Sequence, residues 1–264
     1  MDQLDRTTPQ DVAPLEEAMV HVCRSARLTS AAYQFYRAIL LAFVELGHAP
    51  APEAVAALAR QSNVPHDATL ARMAAQDLVQ RDPATGRIRA AYPFSGVPTL
   101  HQVVLFADHR GQRIDRVETQ VYAMCALDAL GAPLMLRRAA LITSADALTG
   151  DPIHVLVRPL ADPRDLPIVI PPADWRAIWD PVGSVVYARP PEHEAEHDTG
   201  ACLADGTCCP ITNFFAAPAY AQMWVARQMT QQPAVPPDGL ALTQAEALER
   251  SHALFAGVLD RLEA

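Results

Sequence analysis

Lysine is absent from this chain of 264 residues, and all 21 basic residues are arginine. That absence excludes any reaction running through a lysine Schiff base. It also removes the lysine of the G-x-x-x-x-G-K-[ST] phosphate loop, and neither that motif nor G-x-G-x-x-G occurs. A net charge of -9 disfavours nonspecific binding to nucleic acid. The apolar runs are too short and too interrupted to span a bilayer, so no membrane partner is expected. Met1–Glu17 is acidic and proline-bearing, without the basic start and apolar block of a secretory leader. These absences point to a cytoplasmic protein whose five cysteines stay reduced.

Half of the residues (50%) are hydrophobic, enough for one large domain or two small ones. Residues 1–27 read as a tail and lead-in helix. Leu28–Leu46 has the spacing of an amphipathic helix, with Thr29 or Ser30 to cap its start and Gly47 to end it. Pro52–Arg60 and Asp67–Gln80 read as two further helices. A turn at Asp82–Gly86 then leads to a strand over Arg87–Tyr92. Helix, helix, turn, helix and wing resemble a winged helix-turn-helix module over residues 28–95. Its third helix sets Asp67 and Asp77 against the single Arg72, which argues against DNA contact.

Residues 96–264 read as a catalytic α+β domain of small, mostly antiparallel sheets with flanking helices. Strands are expected at Val103–Phe106, Arg113–Ile114, Ala139–Thr143, Ile153–Val157, Ile168–Ile170 and Val182–Tyr187. Helices are expected at Thr119–Leu130, briefly at Trp175–Trp179, and from Phe214–Ala221 onward. The last, Gln244–Leu262, is capped by Thr243 with Glu246 at the capping-box position. Residues 192–207 form a polar His/Cys loop.

Within Tyr122–Asp128, read Y-A-M-C-A-L-D, Cys125 and Asp128 stand at i and i+3 in an apolar segment. In a helix they would share a face, about a turn apart. A buried carboxyl beside a thiolate is expected to hold its proton to higher pH and so can act as a general acid. The alternative is an exposed Asp128, or one paired with Arg137 or Arg138. Cys23 reads as a small buried or half-exposed side chain. Cys208-Cys209 precedes Pro210, and a vicinal pair strains any disulfide ring, so two thiols are expected. His193, His197, Cys202 and Cys208 could hold zinc or another borderline metal at a second site, or form a solvated loop whose residues never meet.

The segment V-Y-A-M-C-A-L-D-A-L-G resembles the core of the organomercurial (alkylmercury) lyases. The later cysteine followed by Phe214-Phe215-Ala216, the stretch Thr149-Gly150-Asp151-Pro152-Ile153, and Tyr92-Pro93-Phe94-Ser95 extend the likeness across Leu28 to Leu262. The resemblance implies protonolysis of a carbon–mercury bond, giving a hydrocarbon and thiol-held Hg(II). It implies that Cys125 and Cys209 bind mercury, with Asp128 as proton donor beside the ion. Ungapped spacing to Phe214 selects Cys209 as second thiol, whereas a one-residue gap would select Cys208. No organic cofactor is implied; small thiols or a mercuric reductase would take Hg(II) onward. Met124 replaces an aromatic residue common in that family, Asp146 stands near a further cysteine of some members, and Thr212 and Asn213 stand where some have histidine. These departures and the inserted loop leave a second reading: a lyase-like metal-binding protein, or an enzyme using the same Cys/Asp site on another substrate.

Overall fold

Thr29 and Gly47 bracket the first helix, as their types foretell. The Thr29 hydroxyl accepts from the Ala32 amide at 3.3 Å, and Gly47, at φ 73°, donates to the Phe43 carbonyl. Between them α1 (Ser30–Leu46) buries Tyr33, Phe35, Tyr36, Ile39, Leu40 and Phe43 on one face. The computed structural model describes residues 25, 27–113, 116–162, 165, 170–188, 211–231 and 239–259. Helix α2 (Pro52–Gln61) begins on proline, whose fixed φ suits a first turn.

Helix α3 (His66–Ala75) stops well short of the expected Gln80. Asp77 adopts φ 56°, a left-handed conformation that Asp tolerates better than most residues. The chain turns there, and Val79–Arg81 becomes β1 instead of a last helical turn. Strand β1 pairs antiparallel with β2 (Ile88–Ala91). In the intervening turn the Asp82 carboxylate accepts from the Ala84 and Thr85 amides at 2.9 and 2.8 Å.

The expected small sheets are, for the most part, one large one. Strands β3 (Phe94–Ser95), β4 (Gln102–Phe106), β5 (Val117–Ala123), β6 (Ala140–Ala145), β7 (Pro152–Pro159) and β8 (Trp175–Asp180) join the hairpin. The eight strands run in the order β1-β2-β3-β5-β4-β6-β7-β8, antiparallel at every step. Two-residue β3 is the splice between the amino-terminal hairpin and the rest, and it is too short to leave a periodic signal. A separate sheet of three strands has the order β10-β9-β11, from β9 (Val185–Ala188), β10 (Asn213–Phe215) and β11 (Leu240–Leu242).

The first part of one expected helix, and the whole of another, are strands. Thr119–Ala123 belongs to β5, where Val121 and Ala123 alternate inward between β3 and β4. The Trp175–Trp179 turn is β8, with both tryptophans inward. A spacing of four fits one face of a helix and one face of a strand alike, which is why the pair misleads. Arg113 lies outside any strand, since β5 begins only at Val117.

Helix α4 (Ala126–Leu136) is the centre of the molecule. Apart from Asp128 it is apolar on every side, and ten of its 11 residues are buried. Such a helix must be covered all round: the large sheet lies on one side and α6 (Gln244–Phe255) on the other. A Cβ at Gly131 would come within 2.0 Å of the Phe255 ring, so the approach of α6 requires glycine there. Helix α5 (Pro218–Gln231) packs on β9 and β10 over a smaller apolar cluster of Val185, Tyr187, Ile211, Phe215, Ala221 and Trp224. Phe214 joins the main core instead. Neighbours on a strand face opposite ways, so the two phenylalanines of β10 serve different cores. Among the described residues, no helix is long and apolar enough to cross a membrane.

Candidate active site

Cys125 lies between β5 and α4 and is the N-cap of α4. Its backbone is extended, at φ -152° and ψ -179°, so the side chain folds back over the first turn. There Sγ accepts from the Asp128 amide at 3.4 Å. Asp128 is therefore residue N3 of the helix. The i, i+3 relation read from the sequence survives, though the sulfur precedes the helix instead of riding on its face. Both side chains are buried, Cys125 at 7% and Asp128 at 5% exposure.

Sulfur is a weak acceptor, and helices prefer Ser, Thr, Asp or Asn at this position. Using cysteine gives up capping strength. In exchange, the thiol sits where first-turn amides and the helix dipole favour negative charge, the form in which sulfur binds metals. Backbone bonds fix the junction on both sides. The Met124 amide donates to the Pro93 carbonyl at 3.1 Å, and the Ala126 amide donates to the Thr212 carbonyl at 3.2 Å. The Ala129 amide closes the first turn on the Cys125 carbonyl at 2.9 Å.

Tyr36, from α1, reaches the same neighbourhood. Its hydroxyl donates to the Tyr92 carbonyl at 2.9 Å, one residue before the Pro93 that holds Met124. Burial pushes its phenol well above the usual tyrosine range, and the charge of Asp128 adds to the effect. Tyr36 also belongs to the buried face of α1. A tyrosine on an otherwise apolar helix face is the available signal, because a buried hydroxyl needs a partner. The Thr212 carbonyl, being backbone, leaves no such signal.

The alternative for Asp128, exposure or a salt bridge to Arg137 or Arg138, does not hold. Asp128 is buried, and both arginines follow the opposite end of an 11-residue helix. Arg138 instead pairs with Glu118 through Nη1–Oε1 at 3.1 Å and donates to the Phe106 carbonyl at 2.6 Å. Hydrogen bonding to Arg138 holds the Glu118 carboxyl below its usual range, against a smaller effect of burial.

Phe214, in the second sheet, lies two residues after the Thr212 that holds Ala126. Its ring meets the His101 ring at 5.7 Å and the Trp179 ring at 5.6 Å, both edge-on. His101 is buried, with Nδ1 2.9 Å from the Ser144 hydroxyl. Thr212 and Asn213, which precede Phe214, are also buried. A soft sulfur and a carboxyl in one buried helical turn can together hold a soft cation and move a proton. Among the described residues, no group of three or more His, Cys, Asp or Glu side chains could cage a metal ion. Cys23, Cys202, Cys208, Cys209, His193, His197 and the loop at 192–207 lie outside the described residues.

The model of a family described as alkylmercury lyase matches residues 94–256. The fold is similar to the crystal structure of the mercury-bound form of MerB2, with a TM-score of 0.62 at 20% identity. That similarity covers 94% of this chain and 100% of the other. No curated protein matches the chain.

Proposed function

Because the chain belongs to the alkylmercury lyase family, we propose that it cleaves the carbon–mercury bond of organomercurials by protonolysis, with Cys125 and Cys209 as mercury ligands and Asp128 as the proton donor. The observation that carries this reading is the buried N-cap pair: Cys125 sulfur on the Asp128 amide at 3.4 Å, the carboxyl on the same first turn.

The chemistry balances without a redox step. The Cys125 sulfur displaces the anion carried by R–Hg⁺, and its proton passes to the Asp128 carboxylate. A second thiolate then adds to mercury. Two soft anionic ligands push electron density onto the bound carbon and raise its basicity. The carbon takes the proton from Asp128, the Hg–C bond breaks with its electron pair on carbon, and R–H leaves. Mercury remains Hg(II) on two sulfurs, and Asp128 is again a carboxylate. Water exclusion around this turn strengthens the interaction between proton donor and developing carbanion. Cellular thiols or a mercuric reductase then take the ion, consistent with a cytoplasmic setting. The cycle calls for no organic cofactor.

Cys209 is the preferred second thiol on its ungapped spacing to Phe214, and chain length allows it. It precedes Thr212 by three residues, and Thr212 is bonded to Ala126, the residue after Cys125. Three extended residues span at most about 11 Å, so Cys209 is within reach of a mercury ion on Cys125. Cys208 has one residue more of reach and is the alternative. The amino-terminal helices and hairpin are read as a winged-helix-like cover for the site. Tyr36 of α1 supports that role, and the acidic α3 speaks against DNA.

The test is phenylmercury with excess thiol, measuring benzene and Hg(II) in equal amounts. Replacement of Cys209 by serine should abolish both, while Cys208→Ser leaves them. Undiminished turnover in each single variant and in the double variant would sink the two-thiol mechanism. Failure to release benzene from phenylmercury or methane from methylmercury in the unaltered protein would leave the altered-substrate reading instead.

A further inference from the structure

The turn between β6 and β7 holds a buried carboxyl that the proposed chemistry does not use. Asp146 follows the last residue of β6 and is 2% exposed. Its Oδ1 accepts from the Leu148 and Thr149 amides at 2.8 and 3.0 Å. Those bonds close the turn, together with the Gly150 amide on the Asp146 carbonyl at 2.8 Å and φ 79° at Gly150. An Asx turn needs no more than that one side-chain oxygen.

Oδ2 points elsewhere. It accepts from the Ala216 amide at 2.7 Å, the residue that follows β10. The adjacent Ala147 amide donates to the Phe214 carbonyl at 3.2 Å. The turn therefore grips this segment twice, once within β10 and once just past its end. On its other edge β10 is paired with β9, from Asn213 opposite Tyr187 to Phe215 opposite Val185. Just upstream, the Thr212 carbonyl holds the Ala126 amide. The stretch from Thr212 to Ala216 is thus tied to the amino end of α4, to the Asp146 turn and to β9.

We propose that Asp146 is a positioning residue for the mercury site: its second oxygen anchors β10 and so sets the spacing between the α4 amino end, where Cys125 sits, and the chain that leads back to Cys209. The proposal rests on the reading of Cys209 as second ligand. A charged acceptor shared among three backbone amides is a strong, short-range anchor. With the anchor released, a second sulfur meets the ion on Cys125 at lower effective concentration. Displacements of about 1 Å in such geometry cost up to ~100-fold in rate.

The experiment compares Asp146→Asn with the unaltered protein. Asparagine keeps one oxygen for the turn but sets an N–H donor against the Ala216 N–H. The measurements are kcat and KM for phenylmercury per folded molecule, Hg(II) retained against a competing dithiol, and the thermal midpoint. We expect kcat to fall by roughly 10- to 100-fold with a smaller change in KM, and Hg(II) to be lost at about 10-fold lower dithiol. In a Cys209→Ser background the same substitution should cause no further loss of Hg(II), because the coupling it serves is already gone.

Unchanged kcat and retention in folded Asp146→Asn overturn the proposal, as does an equal loss in the Cys209→Ser background, the mark of a purely structural residue. Should the asparagine variant fail to fold, Asp146→Ser keeps a turn acceptor without the opposing donor and is judged by the same outcomes. Full turnover in Cys209→Ser alone overturns the reading of Cys209 as second ligand and this proposal with it. A dead Cys209→Ser beside a fully active Asp146→Asn overturns only the anchor.

Discussion

Helices α4 and α6 begin with the same arrangement and use it for different ends. At α6 the Thr243 hydroxyl accepts from the Glu246 amide at 3.3 Å, and Glu246 reaches back to the Thr243 amide at 2.7 Å. This is a complete capping box, exposed to water. At α4, Cys125 stands where Thr243 does and Asp128 where Glu246 does, both out of water. The outer pair consumes its carboxyl: hydrogen bonds from Thr243, hydroxyl first and amide second, hold Glu246 below its usual range. The inner pair exchanges a hard oxygen cap for a soft one and keeps an acid in a dry first turn. One local pattern gives a stability device at the surface and, in the proposed chemistry, a reactive pair in the core, and burial separates them.

The sharpest way to break the comparison is to make α4 resemble α6. Cys125→Ser restores a preferred cap, so thermal stability should hold or rise by up to about 1 kcal/mol. Organomercurial turnover should fall by roughly 1000-fold or more, as for loss of an essential nucleophile. A protein destabilised by this change, with turnover intact, would show that the sulfur is there for packing. Next comes Asp128→Asn. It should retain Hg(II), read by sulfur-to-mercury absorption, while hydrocarbon release slows about 100- to 10,000-fold.

Tyr36→Phe has a smaller effect, and one that depends on pH. Loss of the hydroxyl leaves the Tyr92 carbonyl without its donor, at a cost of about 1–3 kcal/mol near neutral pH. Burial, with Asp128 adding, raises the Tyr36 phenol from an ordinary 10.0, so its neutral form stabilises the fold. That contribution is full below the ordinary value and fades as pH rises toward the folded one. The unaltered protein should therefore lose stability above about pH 10 more steeply than Tyr36→Phe, as chemical denaturation at pH 7 and pH 10.5 will show.

Thr243→Ala is the mildest change. It should cost about 1 kcal/mol and leave turnover per folded molecule untouched. Glu246 is depressed below an ordinary 4.5, so its contribution is full above that pH and fades as pH falls through the folded value. Removing Thr243 should flatten that acid limb, a difference visible between unfolding curves at pH 3 and pH 7. Any loss of turnover beyond the loss of folded protein would mean the two caps are not separable.

The contrast also explains what the sequence made legible. Caps are local, so Thr29, Gly47, Thr243 and Glu246 could be read from residue type and spacing; α1 lies where expected and α6 starts where expected, though it ends at Phe255 instead of Leu262. Cys125 and Asp128 were legible for the same reason, since their relation spans three residues. Their position on a strand-to-helix junction was not legible, because the pairing that makes Val117–Ala123 a strand comes from β3 and β4. Trp175 and Trp179 misled by a spacing common to both periods. The Thr212–Ala126 and Asp146–Ala216 bonds bridge segments that no local pattern links.

Phe214 and Phe215 carry one last consequence. Because each ring belongs to a different cluster, slipping β10 by one residue would exchange them and spoil both. The reading frame of this segment is therefore checked twice, and only from Thr212 onward. Insertions or deletions between Ala188 and Cys208 need not disturb it. A lineage can lengthen the stretch ahead of Cys208 and Cys209 and still deliver the Thr212 carbonyl to the same amide, whereas a single indel inside Thr212–Ala216 would not be forgiven.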